Sequence, residues 1–176
     1  MPDLDASLTD EVGGTVLRLE RVLRHPPERV WEALTEPDAQ ATWHPTPAEF
    51  ERATGGAVRF SAEGDGSDMP DGEVTEWDPP RVLAHTWGED RLRWELRPRD
   101  DGCLLILTQT FEDRLKAARD AAGWHLCLDA LAAALEGEPP QPRPGSDGPP
   151  DEWRQLNRVY EERFGIPPDR ATPPPG

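Results

Sequence analysis

The chain reads as an α+β domain in which an antiparallel sheet is covered on one face by a long helix. Residues 72–96, GEVTEWDPPRVLAHTWGEDRLRWEL, alternate β-branched or aromatic residues with polar ones, the period of a half-buried strand. Breaks at Asp78-Pro79-Pro80 and Gly88-Glu89-Asp90 divide the stretch into three strands. Pro fixes φ and lacks an amide donor, so a double Pro ends a strand. Connections this short make hairpins, hence an antiparallel sheet. Further on, Ala121, Trp124, Leu128, Leu131 and Leu135 recur at spacings of three and four, one apolar stripe along a helix over 112–136. A striped helix and a one-faced sheet each bury their apolar side against the other.

The remaining elements follow in order. Residues 1–14 read as a flexible acidic arm, and the body starts at residue 15 with TVLRLERVLR. Leu17, Leu19 and Leu23 share one strand face there, with the guanidinium of Arg21 among them. Pro26-Pro27 stops the strand, and residues 28–34 form a short helix that buries Val30, Trp31 and Leu34. Thr35-Glu36-Pro37 breaks it, and 38–43 forms a second. Gly55-Gly56 turns the chain into a strand with Val58, Phe60 and Ala62 on one face, and EGDGSDMPDG after it reads as a hairpin loop. Strands are expected over 72–77, 81–87, 91–97 and 103–111. The LLIL core of the last is apolar on both faces, which predicts cover on both sides. Residues 138–150 form a Pro-rich linker, semi-extended in character. Over 151–165, Asp151 caps a helix with Trp153, Leu156, Tyr160 and Phe164 on one face and Gly165 at its end. Such a helix is marginal alone and must dock. Residues 166–176 are expected to be disordered.

Composition narrows the function classes. Of 176 residues, 35 are Asp or Glu and 19 Lys or Arg, a net charge of -16. Phosphate neutralisation drives non-specific nucleic-acid binding, so that partner is excluded, and anionic membrane surfaces are disfavoured alike. No apolar run approaches the ~20 residues of a membrane span. The N-terminus lacks a secretory pattern, and Cys103 and Cys127 read as reduced thiols, together implying a cytoplasmic protein. No His or Cys spacing suits a zinc site, and the acidic loop around Asp65 does not match a calcium loop. No metal or cofactor is expected, and nucleophile elbows and phosphate loops are missing.

Three segments carry a family resemblance. They are PPERVWEALTEPDAQATWH at 26–44, the strand stretch at 72–96 with its Asp-Pro-Pro and Thr-Trp, and GWHLCLDALAAALE at 123–136. In this order over residues 15–137 they resemble the START-like, helix-grip superfamily called SRPBCC, in the branch named for the activator of heat-shock protein 90 ATPase. The resemblance implies a curved antiparallel sheet wrapped around the long helix. It also implies two small helices closing one end and an apolar cavity suited to a lipid, sterol or polyketide-like ligand. Relatives include lipid carriers, hormone receptors, ring cyclases and a co-chaperone domain, so the fold hosts the function without naming it.

The cavity wall is expected from Trp43, Phe60, Trp87, Trp94, Phe111, Trp124, Leu128 and Leu131, since ligand sites are mostly apolar with a few placed polar groups. Seven tryptophans exceed what packing a chain of this size requires. Arg21 and His85 are the polar groups expected to face inward, Arg21 as a carboxylate clamp and His85 as an acid or base. An Arg paired with a buried Glu and a His satisfied by backbone is the structural alternative for both. His44 and His125 are weaker candidates. The leading expectation is a domain that binds a hydrophobic or amphipathic small molecule. Two alternatives are a cavity enzyme of the cyclase or dehydratase type using Arg21 and His85, and an interaction module for a chaperone or a homodimer partner.

Overall fold

A computed structural model describes residues 5–44, 47–60, 71–140 and 151–168. The strands are β1 (Ala6–Glu11), β2 (Gly14–Leu23), β3 (Ala48–Phe50), β4 (Ala57–Phe60), β5 (Gly72–Asp78), β6 (Val82–Trp87), β7 (Asp90–Arg99) and β8 (Gly102–Phe111). The helices are α1 (Pro27–Thr35), α2 (Pro37–Gln40), α3 (Ala117–Leu135) and α4 (Asp151–Phe164). The strands form one curved, 8-stranded antiparallel sheet in the order β1-β2-β8-β7-β6-β5-β4-β3. This is the α+β helix-grip architecture that the sequence predicts.

The central ladders set which side chains face α3. Leu19 lies opposite Leu107, Leu107 opposite Trp94, and Trp94 opposite Leu83. Because the strand period is two, this row and its neighbours fall on one face, and all four side chains are buried. Above them α3 lays Ala121, Trp124, Leu128, Leu131 and Leu135, the stripe read from the sequence. Gly102 makes the β7–β8 connection possible. It sits at φ +149°, and a Cβ there would lie 2.0 Å from the Leu23 carbonyl oxygen.

Several elements differ from expectation. Residues 6–11 of the presumed acidic arm form β1, paired with β2 from Ala6↔Leu19 to Glu11↔Gly14. Ala6 is buried and Leu8 packs on the core, so a weak inward alternation hidden among acidic residues suffices beside a long strand. The second small helix ends at Gln40 instead of residue 43 and leads to β3, a strand the sequence reading lacks. The long helix starts at Ala117, not residue 112. Before it, Asp113 accepts a hydrogen bond from the Leu115 amide at 3.0 Å and caps a 3-10 turn, Arg114–Lys116. Leu105 and Leu107 of β8 lie under α3, whereas Ile106 faces the other way, outside the core cluster, and is still only 2% exposed. Its ladder neighbours Glu20 and Glu95 flank it, so side chains supply the cover on that face.

α4 docks on α3 within its own chain. Leu156, Tyr160 and Phe164 are buried, and Trp153 lies against Gly123. Ile166, in the stretch read as disordered, is buried beside them. The acidic hairpin tip with Ala62, most of the Pro-rich linker and the last tail residues lie outside the described residues.

Candidate functional site

The site begins with α1 and α2. Pro27 opens α1 without wasting an amide donor, and Val30, Ala33 and Leu34 turn inward. Trp43, just after α2, donates its indole N–H to the Ala33 carbonyl at 2.9 Å, which ties the two helices together. Gln40 acts as a false strand partner. Its amide donates to Ala48 O and accepts from Ala48 N, both at 2.8 Å, and so fixes β3 beside α2. These bonds set Phe50 and the Trp43 ring against the sheet.

Facing them, Trp94 meets Trp43 edge-on at 5.7 Å between ring centroids, and Trp124 of α3 meets Trp94 at 5.6 Å and Trp87 at 5.4 Å. His44 closes the group at 5.6 Å from Trp124. His85 lies against Phe50, centroids 5.1 Å apart, with Phe60 at 6.4 Å. The recess among these rings is lined by Leu34, Gln40, Trp43, His44, Ala48, Phe50, Phe60, His85, Trp87 and Trp94. Its cavity volume is about 10 Å³, near the minimum for one water. The roomy cavity expected from the resemblance is thus closed here, because four tryptophans occupy the space between sheet and helix.

The electrostatics of the recess are those of a neutral site. None of its lining side chains is a carboxylate, ammonium or guanidinium. Burial holds the His85 imidazole down at about 4, only partly offset by its bond to the Thr86 carbonyl, so the ring is neutral at physiological pH. That bond uses Nδ1 at 2.9 Å, which makes Nδ1 the protonated nitrogen and leaves the Nε2 lone pair as an acceptor. Trp87 Nε1 is buried and has no acceptor among the described residues. Aromatic walls, one spare donor and one acceptor can orient a flat neutral molecule. A neutral imidazole with so low a pKa is a weak base.

Of the residues singled out in the sequence, Trp43, Phe60, His85, Trp87 and Trp94 come together at the recess, with Trp124 stacked behind them. Phe111 sits elsewhere, under the Lys116 ammonium at 5.2 Å, and Leu128 and Leu131 are core on the buried face of α3. Arg21 does face inward but lies apart from the recess. Its Nη1 donates to Glu20 O at 2.8 Å, and its Nε lies 3.7 Å from Asp129 Oδ1. The pairing of Arg21 with His85 across one cavity is therefore not formed, because Arg21 faces α3 across β2 while His85 faces β3 and β4. Gln40, Ala48 and Phe50 were missed; the Ala-Glu-Phe alternation over 48–50 was the available signal, too short to read.

A second missed residue is Gln109, fully buried on β8. Its Oε1 accepts from Trp124 Nε1 at 2.8 Å, and its Nε2 donates to Asp90 at 2.8 Å and Asp120 at 3.0 Å. Lys116 pairs with Asp90 and lies 3.8 Å from Asp120. Burial raises the Asp120 carboxyl against the pull of Lys116 and Arg119. The network fixes the tilt of Trp124 and hence the back wall of the recess. Among the described residues no group of three His, Cys, Asp or Glu could hold a metal, and no described helix is long and apolar enough to cross a membrane.

Comparison with known proteins bears on the same region. A conserved protein of unknown function, EF2215 from Enterococcus faecalis, superposes with a TM-score of 0.71 at 22% identity over 91% of this chain and 90% of its own. CalU16 from Micromonospora echinospora superposes with a TM-score of 0.68 at 21% identity over 93% and 96%. DynU16, from the dynemicin biosynthetic locus, is 27% identical with a TM-score of 0.62 over 72% of this chain and 49% of its own. No curated protein matches the sequence. The sequence profile of the family described as Activator of Hsp90 ATPase homolog 1-like protein matches residues 24–136, from before α1 through the end of α3. That span holds both small helices, the aromatic recess and the helix that closes it, and the chain belongs to this family.

Proposed function

We propose that the chain binds a small, flat, uncharged molecule of aromatic character in the recess between α2, β3 to β7 and α3. The observation that carries this reading is the buried Trp87 N–H, set among aromatic rings and with no acceptor among the described residues. An unmet buried donor costs about 1–3 kcal/mol, which a ligand carbonyl or hydroxyl would recover. The Nε2 lone pair of His85 offers the complementary acceptor on the same wall. Offset and edge-on ring contacts favour a planar guest. An ionised ligand would find no counter-charge on the lining and would be disfavoured by desolvation. Because the closed recess has room for about one water, binding displaces side chains; Phe50, Phe60 and Trp87 are half-buried and stand on the solvent side. The likeness to DynU16, from a biosynthetic locus, supports a small-molecule ligand. The described lining offers apolar walls and two neutral polar groups, so the reading is of a carrier or sequestering domain.

Titration with 2-naphthol, a planar neutral hydroxyarene, followed by tryptophan fluorescence, tests the proposal. Saturable binding with a Kd below about 1 mM is expected. Trp87→Phe keeps the ring face and removes the N–H, and should weaken binding about fivefold, the equivalent of about 1 kcal/mol. No saturation, or equal affinity in the variant, overturns the reading.

A further inference from the structure

Among the described residues α4 is held on α3 by apolar contacts and by the junction of Tyr160 with His125, and its last carbonyl, Phe164 O, accepts from Arg114 Nη2 at 3.2 Å in the turn before α3. Tyr160, fully buried on α4, places its hydroxyl 2.9 Å from His125 Nδ1 on α3. His125 Nε2 lies 3.4 Å from Asp129 Oδ2, one turn further along α3. The other oxygen of that carboxylate lies 3.7 Å from Arg21 Nε, reaching across from β2. Arg21 Nη2 is buried and has no acceptor among the described residues. Three elements thus converge on one imidazole that is 4% exposed.

The proton inventory of this junction has one satisfied arrangement. A carboxylate only accepts, so the neutral ring carries its proton on Nε2, and Nδ1 accepts from the Tyr160 hydroxyl. A proton added at Nδ1 reverses the bond, so that the Tyr160 oxygen accepts from Nδ1–H. The hydroxyl hydrogen must then turn away, and it has no second partner among the described residues. Charge acts in the same direction. Asp129 is already shared with Arg21, so a cationic His125 would set a second positive charge beside the orphaned guanidinium nitrogen. Asp129 on α3 and Glu152 on α4 favour the imidazolium, Arg21 on β2 opposes it, and burial outweighs them to hold the ring below its usual value.

We propose that α4 is an acid-released clamp, in which protonation of His125 leaves the Tyr160 hydroxyl hydrogen without its acceptor and so loosens α4 from α3. A depressed imidazole contributes docking stability that is complete above the ordinary histidine range, near pH 6.5, and is lost as pH falls below it. Released α4 would leave α3 held by the sheet, by α1 and by the His44 ring against Trp124. Since α3 carries Trp124, the wall of the aromatic recess would loosen with it, a consequence that rests on the proposed binding function.

Hydrogen exchange on the full chain, corrected for intrinsic rates and compared between about pH 7.5 and about pH 5, tests the clamp. Amides of α4 should lose protection about tenfold for each unit by which burial depresses His125, while β7 and β8 keep theirs. In His125→Gln the α4 protection should no longer vary with pH. Arg21→Met removes the competing cation and should move the release to lower pH, which keeps a test in hand if the glutamine variant does not fold. Flat α4 protection, loss of α4 and sheet together, or an unchanged pH response in His125→Gln overturns the clamp. Naphthol titration at about pH 7.5, with α4 docked, reads the recess alone. Failure there removes the binding function and leaves the clamp standing.

Discussion

Replacing Gln109 by Leu removes one amide and leaves the side-chain volume nearly unchanged, so the loss is almost purely polar. Three bonds go at once. Trp124 Nε1, 2.8 Å from the amide oxygen, becomes a buried donor without an acceptor, worth about 1–3 kcal/mol. Asp90 and Asp120 lose a donor at 2.8 Å and 3.0 Å. Lys116 still pairs with Asp90 and Arg119 still lies 3.4 Å from Asp120, so we assign about 2 kcal/mol to those two losses together. The sum is about 3–5 kcal/mol, a large part of the stability of a domain this size. The penalty should also depend on pH. The Asp120 carboxyl is already raised by burial, and the Gln109 bond is among the contacts that lower it, so the variant raises it further. A raised carboxyl makes the folded state hold its proton more tightly, so the penalty is complete at neutral pH and shrinks as pH falls through the folded value. Urea unfolding monitored by tryptophan fluorescence, at neutral and mildly acidic pH, measures both effects. A loss under about 1 kcal/mol, or one that grows on acidification, would refute the view that Gln109 anchors the back wall.

Two further outcomes follow from individual positions. Gly102→Ala forces a Cβ to 2.0 Å from the Leu23 carbonyl oxygen at a left-handed φ, and chemical denaturation should show a loss of at least about 2 kcal/mol; a near-neutral change would mean the end of β2 does not approach Gly102 as closely as described. His85 should titrate near pH 4 by NMR. Its folded pKa lies below the unfolded value, so stability is complete above about pH 6.5 and falls by about 3 kcal/mol as pH drops to the folded value; a resonance titrating near the ordinary histidine value would show the ring in contact with water.

Much of the fold was legible because it rests on periodicity. The alternation over β5, β6 and β7 and the stripe Ala121-Trp124-Leu128-Leu131-Leu135 each state which face is buried, and hairpin breaks state how the strands pair. Where the pattern was short or mixed with charge, it failed. β1 carries Ala6 and Leu8 among acidic and hydroxyl residues, and its strand character comes from pairing with β2, a long-range contact. β3 has three residues and owes its place to the Gln40 amide. The candidate site divided the same way. Inward orientation of Arg21 and His85 followed from strand phase, but their distance from each other depended on which strands lie opposite which helix.

The sequence by itself determined the α+β layout, the family and the aromatic character of the interior, because residue type and spacing decide which faces leave water. Only the tertiary structure decided that Trp43, Trp94 and Trp124 meet edge-on, with Trp87 tilted against Trp124, and close the cavity to about 10 Å³. It also placed Arg21 against Asp129 and His125 beneath α4, away from His85. Local patterns choose the buried face of each element. Which buried side chains then touch depends on strand order and helix placement, set by contacts between residues far apart in the chain.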